Sequence, residues 1–119
     1  AITTGDDTNV QAGGVIHVDE GVPCRIGKRV GIGHRAIVHG ATVEDDVLIA
    51  MGAILLNGVH VGSGSIIGPG GVVREGFVVP PNTLVLGVPG RVARETTMQE
   101  RDRIAKTVES YIVLQEKYK

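Results

Sequence analysis

The chain has 119 residues and a formal net charge of -1, with one cysteine, Cys24. One cysteine excludes an internal disulfide or a cysteine zinc cluster and fits a reducing, cytoplasmic setting. The balanced charge gives no reason to expect nucleic acid as a partner, and no apolar run approaches the roughly 20 residues of a membrane span.

Eighteen glycines stand beside only three aromatics, Phe77, Tyr111 and Tyr118. Such a mixture of aliphatics and turn formers indicates a repeat rather than an aromatic-rich core. In chain order, "AITTGDDTN" lacks the basic start and apolar centre of a signal peptide. "VQAGGV" from Val10 opens a six-residue pattern that continues at Ile16. Ten residues then separate Ile16 from Ile26 where a hexad uses six, so "VDEGVPC" carries a loop of about four extra residues. "IGKRVG", "IGHRAI" and a shortened "VHGAT" follow, and hexads then run unbroken from Val43 to Leu84. Each opens on an aliphatic residue. Four residues later comes a small or apolar one: Val47, Ala53, Val59, Ser65, Gly71, Phe77 and Thr83.

A hexad with one large and one small inward position makes a short strand and a turn. Three such units close a triangular coil, and about five coils of parallel β-helix fit between Ile2 and Gly90. The glycine runs "GIG" and "GSGSIIGPGG" are coil turns rather than nucleotide loops, since no strand-to-helix context surrounds them. The pattern changes at "TMQE", a capping box with Thr97 at the N-cap and Glu100 three residues later. Ile104, Val108, Tyr111, Ile112 and Gln115 then fall at helical spacing. The expected fold class is all-β: a β-helix over residues 1–94 and one amphipathic C-terminal α-helix over 95–119, packed alongside it.

"GIGHRAIVHG" sets His34 and His39 five residues apart, a spacing that neither a helix nor a flat strand brings to one face. With the loop removed, Ile16, Ile26, Ile32 and Val38 are consecutive hexad starts. His17 and His39 then hold the same outward position one coil apart and should stack at about the 4.8 Å strand spacing. His34 lies one face earlier. A second copy around a three-fold axis would present it to the pair across a subunit interface. Taken singly, an outward histidine is an ordinary surface residue, and His60 is read as one. Three in this register point to a metal.

Three neutral imidazoles are the ligand set of a catalytic zinc, which lowers the pKa of bound water from 15.7 towards about 7. Hydration of carbon dioxide needs such a hydroxide, groups that orient it and a path for the proton. Gln11 is the candidate orienting amide, with Asn9 bracing it, although amides beside Gly13 and Gly14 also suit plain turns. Asp19 and Glu20 in the loop are the nearest candidate proton carriers.

"TNVQ", "VIHVD", "IGHRAIVHGATVEDDVLIAMGAILLNG" and "LVLGVPGRVARE" together resemble the γ-class carbonic anhydrase family. These are left-handed β-helix proteins within the hexapeptide-repeat superfamily, and the likeness covers nearly the whole chain. It implies a lyase that converts carbon dioxide to bicarbonate, a homotrimer, and metal sites at the subunit interfaces holding Zn2+ or, in some members, Fe2+ or Co2+. His17 and His39 match the ligands from one subunit and His34 the ligand from its neighbour. Gln11 and Asn9 match the active-site amides, and Tyr111 resembles a site-lining tyrosine, helix packing being its plainer role. The family usually has an aspartate where this chain has Ala12. It also carries an upstream Arg-Gly-Asp segment, which lies before the position matched by Ala1. These departures make a catalytically weak, metal-binding assembly subunit one alternative. A hexapeptide acyltransferase or thioesterase, using a single histidine on a coenzyme A thioester, is another.

Overall fold

One hexad has room for a two- or three-residue strand and a corner, and the chain follows that rule. The computed structural model describes residues 2–11, 13–18, 21–104 and 106. The first coil holds β1 (Ile2–Thr4), β2 (Asn9–Val10) and β3 (Val15–His17). The second holds β4 (Cys24–Ile26), β5 (Gly31–Ile32) and β6 (Ile37–His39). The third holds β7 (Thr42–Val43), β8 (Leu48–Ile49) and β9 (Ile54–Leu55). The fourth holds β10 (His60–Val61), β11 (Ile66–Ile67) and β12 (Val72–Val73). β13 (Val78–Val79), β14 (Thr83–Leu86) and β15 (Arg91–Glu95) end the β region.

Each strand pairs in parallel with its counterpart one coil on, giving three sheets: β1-β4-β7-β10-β13, β2-β5-β8-β11-β14 and β3-β6-β9-β12. The hexad starts point inward and stack: Ile32, Ile49, Ile67 and Val85 on one side, Val38, Leu55 and Val73 on another, none of them reached by solvent. Each such side chain contributes about 1.5–3 kcal/mol by leaving water. The small positions lie inside as well; only Phe77 among them is half-buried. Ser65 is tolerated there because its hydroxyl donates to Pro80 O (2.9 Å) and accepts from the Thr83 N–H (3.1 Å).

The helix of coils stops short of five full turns. Four coils are complete and a fifth has two sides, β13 and β14. The third side is missing because a turn over Gly87–Gly90, with a cis Val88–Pro89 bond, reverses the chain and lays β15 antiparallel on β14. At the opposite end the first coil leaves Ile2, Val10 and Val15 exposed.

The helix α1 comprises residues 98–104 and 106 among those described. Its capping box closes in both directions: the Glu100 N–H donates to Thr97 Oγ1 (3.1 Å) and the Thr97 N–H to Glu100 Oε1 (2.9 Å). The Arg94 guanidinium grips the same carboxylate at 2.7 and 2.9 Å. This pairing, helped by the Thr97 N–H, holds Glu100 down to about 2. Ile104 is buried and shares a hollow with Leu48 and Ile66, so α1 begins against the outer face of the second sheet. Val108, Tyr111, Ile112 and Gln115 lie outside the described residues. No helix among those described is long and apolar enough to cross a membrane.

Candidate metal centre

The third sheet presents two outward rows. One is apolar, with Val15, Ile37, Ile54 and Val72 in successive register. The other begins with the histidines. β3 and β6 pair Ile16 with Val38 and His17 with His39. The two imidazole centroids are 4.6 Å apart, with the rings tilted by 31°, close to the spacing of adjacent strands. The Gly40 N–H donates to His17 O (2.8 Å), which ties the backbones of the two coils together beside the rings. His17 is exposed and His39 half-buried. His39 Nδ1 lies 2.6 Å from Asn57 Oδ1.

His34 stands at the other edge of the same sheet, exposed on the turn between β5 and β6, with its carbonyl accepting the Gly52 N–H (2.9 Å). The chain therefore brings two of the three histidines together and holds the third apart. Among the described residues, no group of three or more His, Cys, Asp or Glu side chains that could hold a metal forms within one chain.

Gln11 and Asn9 lie on the His34 side rather than beside His17. Gln11 follows β2 at the corner that, one coil on, carries His34, and its N–H donates to Ile32 O (2.9 Å). Asn9 pairs in register with Gly31 and is only 3% exposed. Asp19, Glu20 and Tyr111, as well as Ala12, lie outside the described residues. His60 sits on the outer face of the first sheet, in register with Thr42, and its Nε2 pairs with the Glu44 carboxylate. Cys24 faces inward, and burial pushes its thiol up, so it is not a ready metal ligand.

The donor set fits a zinc ion. Two imidazole nitrogen donors stand side by side on one face, and zinc accepts imidazole nitrogen readily; a third donor has to come from outside the pair. Asn57 was not singled out in the sequence. Its signal was the five-residue unit "VHGAT", which leaves one residue fewer beneath Asn57 than a regular coil would.

Residues 40–75 match the model of the family described as bacterial transferase hexapeptide, six repeats. The "Probable carbonic anhydrase" of Methanocaldococcus jannaschii is 44% identical over 115 residues, which cover 97% of this chain and 72% of that protein. "Gamma carbonic anhydrase 2, mitochondrial" of Arabidopsis thaliana is 34% identical over 119 residues, 95% of this chain but 43% of its own length. The chain belongs to the γ-class carbonic anhydrase family. This γ-class chain also superposes on the crystal structure of a hexapeptide transferase family protein from Anaplasma phagocytophilum. The TM-score is 0.92 at 31% identity, over 98% of this chain and 68% of that one.

Proposed function

We propose that the chain is a γ-type carbonic anhydrase that hydrates carbon dioxide to bicarbonate. Its site would form between the subunits of a homotrimer, from His17 and His39 of one chain and His34 of the next. The observation that carries this reading is the stacked His17–His39 pair at one edge of the third sheet, with His34 at the other. A residue held at the opposite edge of a face can complete the pair only on a neighbouring copy, and cyclic packing satisfies every site at once. The apolar row Val15, Ile37, Ile54 and Val72 between those edges supports packing of that face against a subunit.

Zn2+ is the proposed ion, with Fe2+ or Co2+ as substitutes, and when bound it supplies hydroxide at neutral pH for attack on the carbon of the substrate. The three imidazoles hold the ion without cancelling its charge. Gln11 shares a corner with His34, so an interface that delivers His34 to the neighbour's pair delivers the Gln11 amide with it. That amide can both donate and accept, which suits it to orient the attacking oxygen, with Asn9, two residues earlier, as its proposed brace. The net reaction joins carbon dioxide and water and releases one proton, for which Asp19 and Glu20 are the proposed carriers and Tyr111 a proposed lining residue. A cytoplasmic location and the division at residue 94 belong to the same proposal; β15 itself runs to Glu95.

The likeness to a hexapeptide transferase supports a second reading, acyl transfer from a coenzyme A thioester with one histidine as base. That reading leaves the stacked pair without a role.

The test is stopped-flow hydration of carbon dioxide by zinc-loaded protein beside His34→Ala and His17→Ala. Both variants should be inactive. Unfolding the two together and refolding them as mixed trimers should restore about a quarter of the wild-type rate, because an intact site then needs one chain of each kind. Mixed trimers without activity, beside an active wild type, would exclude sharing of the site. A wild type that binds one zinc per chain but is inactive would favour the weak assembly subunit, and turnover of acetyl coenzyme A instead would favour the transferase.

A further inference from the structure

We propose that Asn57 is a positioning residue for His39. Its side-chain oxygen accepts a hydrogen bond from the His39 Nδ1–H and leaves Nε2 as the nitrogen offered to a metal. The role at a metal rests on the reading of His39 as a ligand; the hold on the ring does not.

The argument begins with a missing residue. Where the chain turns from the third sheet to the first, the third coil spends Asn57, Gly58 and Val59 between Leu56 and His60. The second coil spends only Gly40 and Ala41 between His39 and Thr42. Both sets of flanking strands are in register, so the shorter corner lies directly against the longer one. The Gly58 N–H donates to Gly40 O (3.0 Å), which aligns the two glycines and places the omitted residue at the level of Asn57. The Asn57 side chain reaches into that space. Its Oδ1 arrives 2.6 Å from His39 Nδ1.

Gly40 keeps the space open. It has φ +56°, and a Cβ there would come within 2.3 Å of Asn57 Oδ1 on one side and 2.8 Å of Val22 Cγ1 on the other. A side chain at position 40 would therefore displace the amide from the ring. The shortened corner, the glycine and the amide form one device, and its product is the orientation of His39.

An amide oxygen only accepts, so the ring nitrogen facing it carries the proton. In a neutral imidazole the other nitrogen then holds the lone pair that a metal needs. Metal-binding histidines commonly donate their second N–H to an oxygen, and loss of that partner typically costs about 10–100-fold in metal affinity. An amide does this without adding charge beside the ion.

The test has one readout that needs no metal. Long-range 1H–15N correlation on the metal-free wild type should show His39 protonated at Nδ1 and bare at Nε2; a ring protonated at Nε2 overturns the proposal. Asn57→Ala should mix the tautomers and lower Zn2+ affinity, measured by competition with a chromophoric chelator, by about 10–100-fold. Asn57→Asp, which keeps the acceptor oxygen, should restore the Nδ1–H tautomer and most of the affinity. An alanine variant with unchanged tautomer and unchanged affinity also overturns the proposal. A wild type that binds no zinc yet keeps the Nδ1–H tautomer overturns the ligand reading alone and upholds the hold of Asn57 on the ring. Because the wild-type measurement stands by itself, a variant that fails to fold does not spare the proposal.

Discussion

Coils three and four step by 18 residues, from Val43 to Val61 to Val79. The two before them step by 22 and 17, from Thr4 to Ile26 to Val43. Both departures fall at the same corner, the one that carries His17 and His39. The regular half closes a core with short strands and tight corners, its inward side chains stacked coil on coil. The irregular half departs from the repeat by an added loop and a deleted residue, and the deletion lets Asn57 reach His39. In this solenoid the repeat supplies the core, and the breaks in the repeat flank the proposed site.

That division can be broken experimentally. Ile67, in the regular half, is wholly buried, and Ile67→Ala should cost about 2–5 kcal/mol in denaturant unfolding. Zinc affinity of the protein that remains folded should be unchanged; a matching loss of affinity would mean that the halves are not separable. Insertion of one residue between Gly40 and Ala41 restores an 18-residue step. It should leave unfolding within about 1 kcal/mol of wild type, as small corner insertions usually do, while zinc affinity falls by about 10–100-fold. An insertion that unfolds the chain would show that the short corner serves packing instead.

The smallest effect belongs to α1, outside both halves. Thr97→Ala should cost about 1 kcal/mol by opening the capping box, read as loss of helical circular dichroism. Glu100 is held at about 2 against an ordinary 4.5, so its contribution is complete above that ordinary value and fades as the pH falls towards 2. Helical signal should decline over that window, and Glu100→Gln should remove the dependence.

Much of this was legible in the sequence because a hexad is a local rule. Inward residues repeat every six positions, so the core and the pairing of His17 with His39 follow from counting, once the loop before Cys24 is removed. The ladder bears the count out. Other features depend on contacts that no period encodes. The Asn57–His39 bond exists because a side chain crosses from one coil to the next through a gap. The last side of the fifth coil is lost because Gly87–Gly90 turns the chain back and lays Val92 opposite Val85. The pairing of His60 with Glu44 depends on where two long side chains meet on an exposed face. In the proposed site the partners of His34 belong to another chain, and no period within one chain encodes them.

The reversed strand β15 has a consequence for how such a solenoid ends. A parallel coil with a bare final rim is a template, and another molecule can add its own strands there as readily as the chain added its last. β15 lies across the rim of the second sheet in the opposite direction, with Arg91, Arg94 and Glu95 exposed along it. A newcomer in parallel register meets the wrong polarity and three charges on that side. One four-residue turn thus converts one side of a growing edge into a terminus.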